Sequence, residues 1–263
     1  MLPVTLPLLL LLAAPWQELA PGLEYVALPY GDPTRVADPR LHVVRVDPER
    51  LLLRPVVAAL RDGQKRTAAE WAEREQLAVV INLGMFELDH SSNVGHLRIG
   101  NDRLQPRWHP GHRSALVWCP ERPVMLVDLD PPQEREELAG CTWVIQNLRV
   151  LKGEGVNVWP KRRQRWSEAA VGQDRAGRIY LLFTRAPRSM HEFAEFIRTK
   201  LDLVRAMHVE GGPEASLSIH TSQLNLDLAG SYETGFNEND NNDRQWPIPN
   251  VLGVQRAEVI TRP

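Results

Sequence analysis

The sequence predicts an α+β fold: a large mixed, mainly antiparallel β-sheet core with a few packed helices. Short apolar runs rich in β-branched residues recur along most of the chain, the pattern of strands with one or both faces buried. Complete helix-start signals are few. Thr67 with Glu70 and Ser189 with Glu192 each fit a capping box, in which side chain and backbone satisfy each other's free donors. No Pro- or Gly-rich linker divides the 263 residues into comparable halves, which predicts one domain.

Taken in order, the first element is the apolar run in MLPVTLPLLLLLAAPWQELA. It is too short to cross a bilayer comfortably but has the length of a signal-peptide hydrophobic region. We therefore expect a signal peptide over 1–20, a single domain over 21–263, and a secreted or periplasmic protein with no stable membrane span after processing. Strands follow at 23–30, 41–46 and 51–57. The helix opened by Thr67 leads into an apolar strand at 77–83, which ends at Gly84. RIGNDRL reads as a hairpin. Further strands fall at 114–119, 124–129, 143–151 and 179–184, the last entered through a DRAG turn.

The helix after Ser189 places Phe193, Phe196, Ile197 and Leu201 on one stripe, suited to packing on a sheet. It leads into a strand at 206–210, then Gly211. The order of capped helix, apolar strand and glycine thus occurs twice, hinting at two related half-units that meet at their strand ends. Strands at 215–221 and 251–255 complete the chain, and the Asn- and Asp-rich stretch from Ser231 to Trp246 reads as a solvated loop.

Charge narrows the function. With 31 Lys+Arg against 33 Asp+Glu, the chain lacks the basic field that nucleic acids or anionic membranes require, so neither is an expected partner. Cys119 and Cys141 are the two cysteines; they can form one bridge or remain separate buried thiols. No paired-ligand spacing accompanies the histidines, and neither a metal nor a cofactor is expected.

Chemistry concentrates in four stretches. In AMHVEGGPEASLSIHT, strand alternation puts His208 and Glu210 on one face, Gly211 and Gly212 allow a sharp turn and close ligand approach, and Glu214 follows the proline. In INLGMFELDHSSNVGHLRIGNDRL, Asn82 and Gly84 end a strand before a polar loop with Glu87, Asp89, His90, Asn93 and His96. WSEAAVGQDRAGRIYLLFT carries Glu168 and Gln173 near a hairpin. WVIQNLRVLKGEG places Gln146 and Asn147 inside an apolar strand, where their amides need a core network or sugar hydroxyls as partners.

In this order, with the closing WPIPNVLGV, these stretches resemble the phosphodiester glycosidase family over roughly residues 75–255. The resemblance rests on Asn82-Leu83-Gly84-Met85-Phe86, Val94-Gly95-His96, Gln146 to Val150, Ala170-Val171-Gly172 and Val209 to Pro213. It implies hydrolysis of a sugar 1-phosphodiester to free sugar and a phosphomonoester; the alternative is a non-catalytic glycan- or phosphoglycan-binding envelope protein on the same fold. The substrate would be a small molecule or glycan bearing a phosphodiester. Glu210 occupies the family's acidic position.

We expect Glu210 to stabilise the developing sugar cation or activate water, with Glu214 or His96 as partner base. The Gly211 and Gly212 amides would help bind an anion or sugar, beside His208 and Gly84, while Asn82 and Gln146 would hold hydroxyls or an N-acetyl group. Three positions depart from the family pattern: Leu83 replaces Ala or Gly, Glu210 replaces the commoner Asp, and Glu168 stands where an arginine is usual. Phosphate recognition would then fall to another arginine, with Arg98, Arg107 and Arg165 available nearby in sequence.

Overall fold

The computed structural model describes residues 15–130 and 133–256. The first half comprises β1 (Gln17–Ala20), β2 (Leu23–Pro29), β3 (Arg40–Val46), β4 (Leu53–Val57), α1 (Ala68–Arg74), β5 (Leu77–Asn82), β6 (Leu97–Ile99), β7 (Asp102–Gln105), β8 (Ser114–Trp118) and β9 (Met125–Asp128). The second half comprises α2 (Gln133–Glu137), β10 (Trp143–Asn147), β11 (Arg149–Lys152), β12 (Val156–Asn157), β13 (Trp166–Asp174), β14 (Ile179–Arg188), α3 (Met190–Leu201), β15 (Leu203–Gly211), β16 (Ser216–His220), β17 (Asn225–Ala229) and β18 (Asn250–Gln255). The architecture is α+β, as the strand-rich pattern predicts.

Three sheets form among the described residues, ordered β1-β2-β3-β14-β13-β15-β11-β12, β7-β6-β10-β8-β9 and β17-β16-β5-β18-β4. Their inward faces share one core, with Val44, Val171 and Met207 from the first sheet, Leu116 and Ile145 from the second, and Ile81, Leu217 and Leu252 from the third. Each outer face is covered separately. The α3 stripe of Met190, Phe193 and Ile197 closes the first sheet, and Trp71 of α1 closes the third. Both capping boxes are made: Thr67 Oγ1 accepts from Glu70 N, and Ser189 Oγ accepts from Glu192 N. A cap of this kind stabilises a helix by about 1 kcal/mol.

Several expectations change. WVIQNLRVL is not one strand but two, β10 and β11, lying in different sheets. The break follows from Asn147, whose side-chain oxygen accepts from Leu148 N at 2.7 Å and takes that amide out of ladder pairing. The two helix-strand-glycine units also sit in different sheets, β5 in the third and β15 in the first, though their ends meet. The stretch from Ser231 to Trp246 is anchored rather than simply solvated. The half-buried Arg185 binds Asp240 Oδ1 at 2.6 Å and the carbonyls of Ala229, Asp240 and Asn242.

Cys119 and Cys141 are joined in a disulfide, which decides between the two open readings. Residues 1–14, with the apolar run, lie outside the described residues. Within 15–20, β1 pairs with β2, and Leu19 is buried in the shared core. No helix among the described residues is long and apolar enough to cross a membrane.

Candidate functional site

The site begins where β15 leaves the first sheet. Pairing with β13 runs Ala170↔His208, then Ala169↔Glu210, so Val209 is an extra residue and the strand bulges there. Bulges re-aim side chains. His208, buried, directs Nδ1 to Glu168 Oε1 at 2.5 Å and Nε2 toward Glu210 Oε1 at 4.0 Å. Glu168 also accepts from the Trp166 indole N–H. The position where an arginine was expected thus holds a buried carboxylate paired with a histidine.

This line of charge sets the protonation states. Burial alone would lower the His208 pKa, but the charge of Glu168, its hydrogen bond and the charge of Glu210 outweigh it, and the pKa is raised. Burial pushes the Glu210 carboxyl up to about 8, against the pull of His208 and of the Gly211 and Phe86 amides. Those amides donate to Glu210 at 3.0 and 3.3 Å. The side chain keeps 17% of its surface exposed.

Past Gly211 the chain makes a single 3-10 turn over Gly212–Glu214. Gly212 has φ +62°, and a Cβ there would lie 2.4 Å from Glu233 Oε2, so both backbone and space demand glycine. Glu214 emerges into a cleft of about 180 Å³ lined by Lys65, Phe86, His90, Trp246 and Pro249. His90 Nδ1 lies 3.7 Å from Glu214 Oε1. Burial raises the pKa of both Glu214 and Glu233. Three acids on two adjoining segments therefore share a poorly solvated corner with one buried histidine.

The expected site residues divide into two groups. Glu210, Glu214, His208, Gly211 and Gly212 converge. Asn82 and Gly84 support them from below: Asn82 Oδ1 accepts from Ser216 N at 3.0 Å, at the start of the strand after Glu214, while its Nδ2 is buried without a partner among the described residues. Gly84 has φ +97°, and a Cβ would lie 2.2 Å from Asn93 Oδ1. Asn93 is buried and ties the loop to β18 through Asn250 and to Gly95.

Gln146 and His96 stand apart. The Gln146 amide oxygen accepts from His96 N and His109 N, and its nitrogen donates to the His109 and His112 carbonyls, so it clamps the 96–112 segment. His96 stacks on Trp108 with ring centroids 4.2 Å apart. No hydrogen bond or ion pair among the described residues links it to Glu210 or Glu214. Arg98 lines the same side as His96, and Arg165 pairs with Glu192.

Sequence reading missed Lys65, Glu233 and Trp246. The local signals near them, the Thr67 capping box and the closing WPIPNVLGV, say nothing of which residues they will meet; tertiary folding brings Lys65 and Trp246 to the Glu214 cleft and Glu233 to Gly212. Glu168 was singled out as a departure, but its pairing with His208 depends on strand register between β13 and β15. A cleft of about 870 Å³ opens elsewhere, lined by Leu19, Leu51, His220 and Asp227. There His220 pairs with Asp227 in an exposed position, whereas Glu210 adjoins the buried His208, so we place the site at Glu210.

Comparison with known proteins bears on the family and the fold. The phosphodiester glycosidase family matches residues 75–255. The catalytic domain of zebrafish N-acetylglucosamine-1-phosphodiester alpha-N-acetylglucosaminidase, auto-inhibited by its pro-peptide, superposes with a TM-score of 0.61 at 16% identity, over 92% of this chain and 86% of that one. A hypothetical protein from Synechocystis superposes with a TM-score of 0.58 at 16% identity, over 92% of this chain and 64% of that one. No curated protein sequence matches. At these identities the two structures establish the shared fold.

Proposed function

The chain belongs to the phosphodiester glycosidase family, and we propose that it hydrolyses a sugar 1-phosphodiester to free sugar and a phosphomonoester. The observation that carries this reading is the line Glu168, His208, Glu210, with a carboxyl pushed up to about 8 at its open end. An ionised Glu210 would repel the substrate's phosphate. A protonated one can donate a hydrogen bond to the departing phosphate oxygen, while the His208 imidazolium behind it offsets negative charge.

In this scheme the bond between the anomeric carbon and the phosphate oxygen breaks, and a water oxygen bonds to that carbon. Glu214 takes the water's proton. Phosphate is already a good leaving group, so Glu210 acts chiefly by hydrogen bonding and by remaining neutral. Lys65, which lines the cleft, would hold the phosphate in the role left by the absent arginine. Trp246 and Phe86 offer apolar faces to a sugar ring. Gln146 and Asn82 act by shaping backbone, and His96 takes no part in the chemistry.

The test uses an aryl phosphodiester of N-acetylglucosamine and measures released sugar. The wild type should turn over, with activity falling as pH rises through about 8. Glu210→Gln should lose about 100-fold or more while keeping its far-UV spectrum. Activity undiminished in that variant would remove Glu210 from the mechanism. A second reading, a non-catalytic glycan binder, draws support from Glu168 in the arginine position; binding without turnover would favour it. The disulfide supports a secreted or periplasmic location, since such bonds persist in oxidising compartments.

A further inference from the structure

A second cavity, about 350 Å³, lies on the other face of the β6-β10 pair and is lined by Arg98, Arg103, Arg135, His96 and Trp108. Strand alternation separates it from the shared core: Val144, opposite Arg98, faces the outer cluster with Leu138, whereas Leu97 and Ile145 face inward. None of the lining side chains is acidic. Arg98 is held by the carbonyls of Leu138 at 2.9 Å and Gly100 at 3.1 Å, contacts that fix its guanidinium without neutralising it.

Arg135 lies over the Trp108 ring at 5.4 Å, its Nε buried without a hydrogen-bond partner among the described residues. By contrast Arg45, Arg54, Arg66, Arg149 and Arg185 each hold a carboxylate. Concentrating three guanidinium groups around one cavity, with no ion pair to any of them among the described residues, is electrostatically costly unless an anion enters. The fork geometry of arginine matches phosphate oxygens as well as carboxylate, and three guanidinium groups together favour the more highly charged phosphate dianion.

We propose that Arg98, Arg103 and Arg135 form an anion site, separate from Glu210, that binds a phosphate group, free or carried on a saccharide. His96 reports on it. Its Nδ1 lies 3.2 Å from the Pro106 carbonyl and donates there, leaving Nε2 to take up a proton. Burial first, then Arg98 and Arg103, lower its pKa. A bound dianion would offset both arginines and raise it.

The His96 imidazole resonances are followed by NMR in the full chain during titration with inorganic phosphate, then with glucose 1-phosphate, against chloride at equal ionic strength. Both phosphates should saturate and raise the His96 pKa; tighter binding of glucose 1-phosphate would identify a saccharide-borne group, and equal binding the free anion. Arg103→Gln with Arg135→Gln should weaken binding by about tenfold or more. The exposed Arg103→Gln alone serves if the double variant is unfolded. Glu210→Gln should bind unchanged, whatever its catalytic fate. An equal response to chloride, arginine variants that bind like the wild type, or loss of binding in Glu210→Gln would each overturn the proposal.

Discussion

At the scale of single residues, the raised pKa of Glu210 has a thermodynamic counterpart. Its folded value of about 8 lies above the ordinary 4.5. Between these values the folded state holds a proton that the unfolded chain has released, so stability is full below about pH 4.5 and declines as pH rises to about 8. His208, also raised above its ordinary 6.5, adds loss of the same sign on the alkaline side. Glu210→Gln removes the carboxyl's share. Thermal melts should show the variant more stable than wild type at about pH 9, by roughly 1–3 kcal/mol, with the gap closing near pH 4.5. A constant gap would mean that Glu210 does not titrate with folding. Glu210 was legible in the sequence because one strand, two glycines and a proline define its corner locally. Lys65 and Glu233 were not, because the capping box beside Lys65 marks only a helix start and the stretch around Glu233 reads only as polar.

At the scale of elements, the strands and both capped helices follow from local pattern, and the errors are instructive. Residues 143–151 look like one strand because apolar content does not encode a change of sheet; the side chain of Asn147 does that through a single hydrogen bond. The stretch from Ser231 to Trp246 looks solvated because its composition is polar. Arg185, a residue on β14, contributes four hydrogen bonds into or beside it, and Ser167 and Gln245 tie its two ends. Arg185→Met should release this segment while leaving the sheets intact. We expect early proteolytic cleavage between 232 and 245 and a rise in KM through displaced Glu233 and Trp246. Cleavage no faster than in wild type would show that the segment is held by other contacts.

At the scale of the whole molecule, the chain's first described strand and its disulfide bear on export. Leu19 is buried in the shared core and β1 extends the first sheet's edge, so removal of residues 1–20 would uncover part of that core. We therefore expect processing, where it occurs, to stop short of Gln17. The Cys119–Cys141 bond closes a sequence separation of 22, a loop worth about 3 kcal/mol in chain entropy. Intact mass of the exported protein checks both points: a first residue no later than Gln17, and two hydrogens fewer than the reduced chain. A mature chain starting at Pro21 would show that the fold dispenses with β1.

The passage from β10 to β11 without an intervening loop has a mechanical meaning. A strand that leaves one sheet and enters the next through Leu148 acts as a rigid corner post, and the turn from Glu210 to Ser216 forms another between the first and third sheets. Sheets braced in this way have little freedom to hinge apart. In the proposed hydrolysis, admission of a bulky substrate would then depend on the two loops that contribute Phe86, His90 and Trp246 to the cleft beside Glu214, 85–94 and 231–246, rather than on the scaffold beneath them.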